Sequence, residues 1–173
     1  EKIDRELDKL TLCAPDYARH HAFLAAAKMS CQAAITYAKR YAALAAEEAE
    51  KETDPVRKKE LRVIAVNCEK VPAKPAETFY EACQSFWFVQ ELLQTESSGH
   101  SISPGRFDQY MYPYYKEDID EGRITRQAAQ ELLDCIWIKL NDLNKCRDEG
   151  SADGFAGYSL FQNLIVGGQN KDG

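Results

Sequence analysis

The sequence predicts a mainly α-helical chain with few short strands, and three observations support this fold class. Apolar residues recur every three or four positions over most of the 173 residues, which is the period of an amphipathic helix. A residue that caps helix N-termini, such as Asp or Thr, stands at the start of several of these stretches. Leu160 to Val166 is the one convincing strand candidate, and it ends in Gly167-Gly168 as a strand that leads into a loop would.

The first long helix is predicted from about His20 to Lys51. Its apolar residues form one stripe at steps of three and four: Phe23, Ala27, Cys31, Ala34, Ala38, Tyr41 and Ala45. Asp54 is expected to cap a second helix that begins at Pro55, a residue suited to the first helical position. The prolines at 72 and 75 should end this helix. Its predicted inner face consists of Leu61, Ile64, Ala65 and Cys68.

The third helix begins with a capping box, in which Thr78 is the N-cap and Glu81 lies three residues later. This helix is the most apolar of the chain. We expect it to be buried all round, because bulky residues point to every side of it: Phe86, Trp87, Phe88 and Val89. A chain of this length could hardly cover such a helix, which indicates partner structure. The helix should break at Ser97-Ser98-Gly99.

The second half of the chain alternates loops and helices. An ordered loop is expected from His100 to Arg106, followed by a short tyrosine-rich helix around Pro113. A further helix should start after Gly122-Arg123-Ile124-Thr125, and a loop is expected over Gly150–Gly157. The predicted buried stripe of the further helix is Ala129, Leu132, Leu133, Ile136, Leu140 and Leu143.

Composition excludes several classes of function. A net charge of −6 argues against a nucleic-acid-binding surface. No run of about 18 apolar residues could span a membrane, and the start carries no signal-peptide pattern. The chain starts without Met and stops in an apparent loop, so we expect an internal fragment of a longer protein. We expect its six cysteines to be reduced, mostly buried thiols of a cytoplasmic protein, because none of them forms a C-x-x-C pair.

The candidate functional residues lie mainly in one polar loop. His100 follows the apolar helix and is flanked by Gly99 and Ser101, a place where binding residues often occur. The alternative is a loop whose side chains only satisfy carbonyls at the helix end. His20 and His21 are interpreted as packed or surface residues. Further interpretations are structural: Arg106 paired with Asp108 would hold a loop, and the tyrosines from 110 to 115 would serve packing.

Several strings then resemble blocks of the glycyl radical enzymes, a family typified by pyruvate formate-lyase. They are GHSISPGRFDQYMYPYY at 99–115, TFYEACQSFWF at 78–88 and FQNLIVGG at 161–168. Together with shorter matches they cover nearly the whole chain in order. The resemblance assigns residues 1–173 to part of the pyruvate formate-lyase-like domain, within the first half of a much longer protein.

The resemblance implies a partial piece of a ten-stranded α/β barrel wrapped in helices, in proteins that often form dimers. It also implies a glycyl radical, installed by a radical S-adenosylmethionine activase and passed to a cysteine in a Cys-x-Glu loop. This chain contains neither a Cys-x-Glu sequence nor the Arg-Val-x-Gly motif of the radical glycine. We therefore expect no catalytic residue and no directly bound cofactor in this chain, and no activity from the chain alone.

Three substrate-binding residues follow from the resemblance. In the polyol dehydratases of the family a His-Ser pair in the matching loop binds the diol hydroxyls, which points to His100 and Ser101. Phe161 matches an aromatic wall of the substrate cavity, although plain barrel core is an alternative. The implied function is the substrate-pocket portion of a cytoplasmic, anaerobic C–O lyase. Alternatives are a hydroxyproline dehydratase, choline lyase or sulfonate lyase, and a non-catalytic scaffold or subunit of a split enzyme.

Overall fold

The computed structural model describes residues 1–97, 102–143, 148–155 and 162–168, and this part of the chain is mostly helical with two short strands. The predicted fold class is confirmed. The helices are α1 (Lys2–Asp8), α2 (Tyr17–Lys51), α3 (Pro55–Lys70), α4 (Phe79–Glu96), α5 (Phe107–Asp120), α6 (Arg126–Asp142) and α7 (Glu149–Phe155), and the strands are β1 (Gly105–Arg106) and β2 (Leu164–Ile165).

The chain divides into two compact units, Glu1–Ala65 and Val66–Gly173, with the boundary inside α3. In the first unit the Lys28 ammonium binds the Asp4 carboxylate at 2.5 Å, which connects α2 with α1. That the whole chain forms a single domain stays a prediction.

The predicted apolar stripe of α2 is correct only in part: its alanines are buried or half-buried, whereas its larger residues are exposed. Ala38 and Ala45 are buried, and Ala42 and Ala49 join them at helical spacing. Tyr41 is exposed because a position one residue before Ala42 lies about 100° away around the helix. Two other members of the predicted stripe, both in the first half of α2, are also exposed: Phe23 and Cys31.

The start of α3 was predicted correctly. The Asp54 carboxylate accepts a hydrogen bond from the Val56 N–H at 2.9 Å, and Pro55 occupies the first helical position. The predicted inner face is half-buried, and Cys68 is fully buried. Both results follow from local chemistry at the N-terminus and from the helical period.

The core of the second unit joins α4, α5 and α6. Its buried members are Phe79, Ala82, Cys83, Phe107, Met111, Ala129 and Ile136. Phe86 of α4 contacts Phe107 of α5 edge to face, with the ring centroids 5.1 Å apart. Five of the six predicted stripe residues of α6 belong to this core or pack against it, whereas Leu143 lies just past the end of the helix. The Thr125 hydroxyl caps α6 by accepting from the Ala128 N–H at 3.1 Å.

The α4 capping box forms in a modified way. The Thr78 hydroxyl accepts from the Glu81 N–H at 3.2 Å, as predicted. The Glu81 carboxylate, however, accepts from the Glu77 N–H at 2.8 Å and pairs with the Lys70 ammonium at 2.8 Å. The carboxylate therefore also connects the end of α3 with the start of α4.

The prediction that α4 is buried all round is wrong for this chain. Phe88 is 2% exposed, whereas Val89 is 46% exposed and Leu93 is 47% exposed. The bulky residues do point to every side, but α5 and α6 cover only part of the helix surface. One apolar side of α4 consequently faces solvent in this chain.

Two further helices differ from the prediction. The tyrosine-rich helix around Pro113 is not short: α5 runs over Phe107–Asp120 with the proline inside it. The predicted Gly150–Gly157 loop is instead helix α7 as far as Phe155, and positions 156 and 157 lie outside the described residues. Asp148 explains α7, because its carboxylate accepts from the Ser151 N–H at 3.0 Å and so caps the helix.

The two strands pair in parallel, with Gly105 opposite Leu164 and Arg106 opposite Ile165. The predicted loop from 100 to 106 therefore ends in a strand. The predicted strand from 160 to 166 is shorter in the part that the structure describes, which begins at Gln162. Parallel pairing of strands this far apart in sequence is what a barrel built from crossover connections requires.

Candidate functional site: the meeting point of two distant segments

The predicted substrate-binding residues His100, Ser101 and Phe161 lie outside the described residues. The segments that follow them in sequence are described: 102–104 comes directly after Ser101, and 162–168 comes directly after Phe161. The geometry of these two segments therefore sets where the predicted residues join the structure.

The two segments contact each other directly. The Ser103 hydroxyl accepts a hydrogen bond from the Asn163 N–H at 3.1 Å, just before the parallel pairing of Gly105 with Leu164 begins. Residues separated by 60 positions in sequence are thus held side by side.

A buried glutamine of α4 connects the same two segments. Gln90 is 4% exposed, and its Nε2 donates to the Ile102 carbonyl at 2.7 Å and to the Gln162 Oε1 at 2.9 Å. Gln162 in turn donates from its Nε2 to the Leu140 carbonyl of α6 at 3.4 Å. This chain of hydrogen bonds runs from the 102–104 segment through Gln90 of α4 and then through Gln162 to α6.

A second glutamine lies one helical turn further along α4. Gln94 is also 4% exposed, and its Nε2 lies 3.4 Å from the Ile102 carbonyl oxygen. Its Oε1 is buried without a hydrogen-bond partner within the described ranges. The Ile102 carbonyl therefore accepts from two amides, of which the Gln90 bond is the shorter.

The far end of the 162–168 segment is held by Asp108. Its Oδ2 accepts from the Gly167 N–H at 2.6 Å, and Gly167 has φ = +78°, a conformation that favours glycine. The prediction that Asp108 holds a loop fits this geometry. Its expected partner was Arg106, but no ion pair between these two residues occurs in the part of the chain that the structure describes.

An apolar groove of about 440 Å³ lies between α4, α5 and the 102–104 segment. Its lining includes the exposed side of α4 at Val89 and Leu93, and the polar groups of Gln90 and Ser103. Tyr110 borders it and donates from its hydroxyl to the Pro104 carbonyl at 3.1 Å. Partial burial raises the pKa of Tyr110 to about 12.

The cysteines divide into two groups, and the prediction that they are mostly buried is wrong for three of them. Burial raises the pKa of Cys68 to about 11 and that of Cys83 to about 12, which disfavours the reactive thiolate. The exposed cysteines are Cys13, Cys31 and Cys135. All five are free thiols, as predicted, and Cys146 lies outside the described residues.

The remaining candidates have structural surroundings. His20 is exposed with its Nε2 3.3 Å from the Asp16 carboxylate, and His21 stacks on Tyr17, so the surface interpretation of both histidines is confirmed. Among the described residues, no group of His, Cys, Asp and Glu side chains could hold a metal ion. None of the helices in the described ranges combines the length and the apolar character that crossing a bilayer requires.

Sequence reasoning missed Gln90, Gln94 and Gln162. A signal was available for two of them, because polar residues four positions apart on one face of the most apolar helix must find hydrogen-bond partners if that face is buried. The signal does not say which atoms they bind. No comparable pattern marks Gln162.

Comparison with known proteins places this geometry in one family. The model of the pyruvate formate lyase-like family matches residues 1–173. A solved structure from Roseburia inulinivorans, described in terms of 1,2-propanediol dehydration, is 63% identical with a TM-score of 0.94; the match covers 99% of this chain and 20% of that one. The glycerol-bound B12-independent glycerol dehydratase from Clostridium butyricum is 53% identical with a TM-score of 0.91, over 99% of this chain and 22% of that one.

Another relative is named for a different activity. The isethionate sulfite-lyase of Desulfovibrio desulfuricans is 45% identical over 94% of this chain and 20% of its own length. The chain thus spans about a fifth of the length of these relatives. The full-length family match and these similarities together show that the chain belongs to the pyruvate formate lyase-like family of glycyl radical enzymes.

Proposed function

We propose that the chain is the substrate-pocket portion of a glycyl radical C–O lyase of the diol dehydratase type. The observation that carries this proposal is the 63% identity, over 99% of the chain, to the structure described in terms of 1,2-propanediol dehydration. Identity to the glycerol dehydratase, at 53%, also exceeds that to the isethionate sulfite-lyase, at 45%. These three sequence identities favour a diol over isethionate as the substrate.

In this proposal His100 and Ser101 bind the hydroxyls of a small diol. An imidazole and a hydroxyl can each donate and accept a hydrogen bond, so the pair can hold two adjacent hydroxyls in one orientation. Protonated His100 can give its proton to the hydroxyl that leaves, which departs as water. Phe161 supplies an apolar wall that excludes bulk water from the reacting substrate.

The radical chemistry is assigned to residues outside this chain. The radical glycine and the cysteine that abstracts the substrate hydrogen belong to motifs that this sequence lacks. The proposal therefore includes the rest of the barrel, an S-adenosylmethionine-dependent activase, a homodimeric parent and an anaerobic cytoplasmic setting. It also holds that the chain alone is inactive.

A substrate panel tests the proposal. The full-length gene product that contains this chain is activated anaerobically and offered 1,2-propanediol, glycerol, isethionate, trans-4-hydroxyproline and choline. We expect 1,2-propanediol or glycerol to give an aldehyde and water with the highest kcat/KM of the panel. Activated protein that leaves both diols unchanged contradicts the proposal.

A sulfonate lyase is the second candidate, because the isethionate sulfite-lyase is 45% identical to nearly the whole chain. Release of sulfite from isethionate, with no aldehyde from either diol, would select it. A full-length product that carries no radical after activation and converts no member of the panel would instead support a non-catalytic scaffold. The same panel therefore separates the three assignments.

A further inference from the structure

Gln90 contacts two distant segments with a single functional group. A side-chain amide has two N–H donors, and those of Gln90 are used on the Ile102 carbonyl at 2.7 Å and on the Gln162 Oε1 at 2.9 Å. The side chain is 4% exposed, so water cannot readily replace either partner. Loss of the amide would remove the donor to the Gln162 Oε1 and would leave the Ile102 carbonyl with only the longer 3.4 Å contact to the Gln94 Nε2.

The hydrogen bonds that join Ile102, Gln90, Gln162 and Leu140 form a bridge between the two segments, and its orientation is determined at both of its ends. The Ile102 carbonyl and the Leu140 carbonyl can only accept hydrogen bonds. The Gln90 amide must therefore donate to Ile102 and to the Gln162 Oε1, while the Gln162 amide donates to Leu140. Rotating the Gln90 amide would place its oxygen against two acceptors. The bridge therefore has one favourable arrangement.

The bridge lies directly beside the predicted substrate-binding residues in sequence. Ser101 precedes Ile102 and Phe161 precedes Gln162, and consecutive Cα atoms are about 3.8 Å apart. Ile102 and Gln162 are the two residues that the bridge anchors. On the C-terminal side of these residues, the segments are held together by the hydrogen bond between Ser103 and Asn163 and by the strand pairing. Gln90 is the side chain that contacts both segments at their ends nearest the predicted substrate-binding residues.

We propose that Gln90 is a positioning residue, which sets the spacing between the 102–104 segment and the 162–168 segment and acts on the reaction through the residues that precede these segments in sequence. The proposal rests on the proposed function. The strand pairing does not involve Gln90. Loss of the Gln90 amide should therefore loosen the segments at Ile102 and Gln162 without separating the strands.

Hydrogen exchange tests the structural part on the full-length protein, independently of any activity. Gln90→Leu removes both donors at nearly constant size, and Gln127→Leu is the matched control because Gln127 is an exposed glutamine on α6. We expect the amides of 102–103 and 162–163 to exchange about 10-fold faster in Gln90→Leu than in the control, whereas those of the paired residues 105–106 and 164–165 should exchange equally in both. Gln162→Leu breaks the same bridge from its other side and replaces Gln90→Leu if that variant does not fold.

Kinetics test the positioning part. We expect kcat/KM for 1,2-propanediol to fall about 10- to 100-fold in Gln90→Leu, with the radical content unchanged by electron paramagnetic resonance. In Gln90→Glu, kcat/KM relative to the wild type should decline as the pH rises, because the protonated acid can donate to the Ile102 carbonyl and the carboxylate cannot. The control variant Gln127→Leu should show neither the fall in kcat/KM nor the pH dependence.

The outcomes are distinct. Unchanged exchange in Gln90→Leu overturns the inference, and so does faster exchange with an unchanged kcat/KM. Faster exchange together with the kinetic loss supports it. If the wild type converts no diol, the proposed function fails, and the exchange experiment alone then decides whether Gln90 holds the two segments.

Discussion

The Asp118 carboxylate accepts a hydrogen bond from the Phe79 N–H at 2.8 Å, although the two residues are 39 positions apart. Phe79 is the first residue of α4, where backbone N–H groups lack partners within the helix. Asp118 is 3% exposed and binds the Arg123 guanidinium at 2.6 Å through its other oxygen. A carboxylate of α5 thus serves as a second N-terminal cap for the helix that carries Gln90.

Replacing Asp118 with Ala should lower the free energy of unfolding by about 3 kcal/mol, because the Phe79 N–H and the Arg123 guanidinium both lose a buried acceptor. Urea denaturation measures the change. Asp120→Ala is the control, since Asp120 is exposed on the same helix and pairs with Lys116 at the surface, where a loss of less than about 1 kcal/mol is expected. Equal losses in the two variants would show that the buried contact has no special weight.

Replacing Thr78 with Ala should cost about 1 kcal/mol, because the Glu81 N–H then loses the acceptor that caps α4. The same denaturation experiment measures it. Thr95→Ala is the matched control, because Thr95 is an exposed residue of α4 whose hydroxyl donates to the Glu91 carbonyl and caps no helix start. A cap that contributes nothing would leave Thr78→Ala as stable as Thr95→Ala.

The cysteines should differ in their rates of alkylation. Cys13, Cys31 and Cys135 are exposed and should react with iodoacetamide in the native protein. Cys68 and Cys83 should stay unmodified, because burial blocks access and raises the pKa of Cys83 to about 12. Peptide mapping by mass spectrometry at rising pH measures each site. Modification of Cys83 at the rate of Cys31 would contradict its burial.

Helix starts could be predicted from the sequence because their chemistry is local. Asp54 and Thr125 cap their helices within three residues, and the period of α6 alone identifies its buried face. The start of α7 has the same chemistry at Asp148, but the glycines around 150 favoured a loop. The loop prediction was wrong there because the glycine content was given more weight than the capping residue Asp148.

Contacts between distant segments could not be predicted in this way. The bond between Gln90 and Gln162 spans 72 positions, and nothing in local spacing specifies a partner at that distance. The exposure of Val89 has a similar cause, because burial of an apolar side depends on which other elements cover it. The candidate substrate-binding residues were inferred from the resemblance to a family, whereas the hydrogen bond between Gln90 and Gln162 is visible only in the fold.

Replacing His100 with Ala in the activated full-length protein tests the central claim most directly. The claim is that the loop after α4 binds the substrate, and the measurement is kcat/KM for 1,2-propanediol at equal radical content. We predict a fall of about 100-fold for His100→Ala, because a proton donor to the leaving hydroxyl is lost, and of about 10-fold for Ser101→Ala. Turnover equal to that of the wild type in both variants would contradict the account.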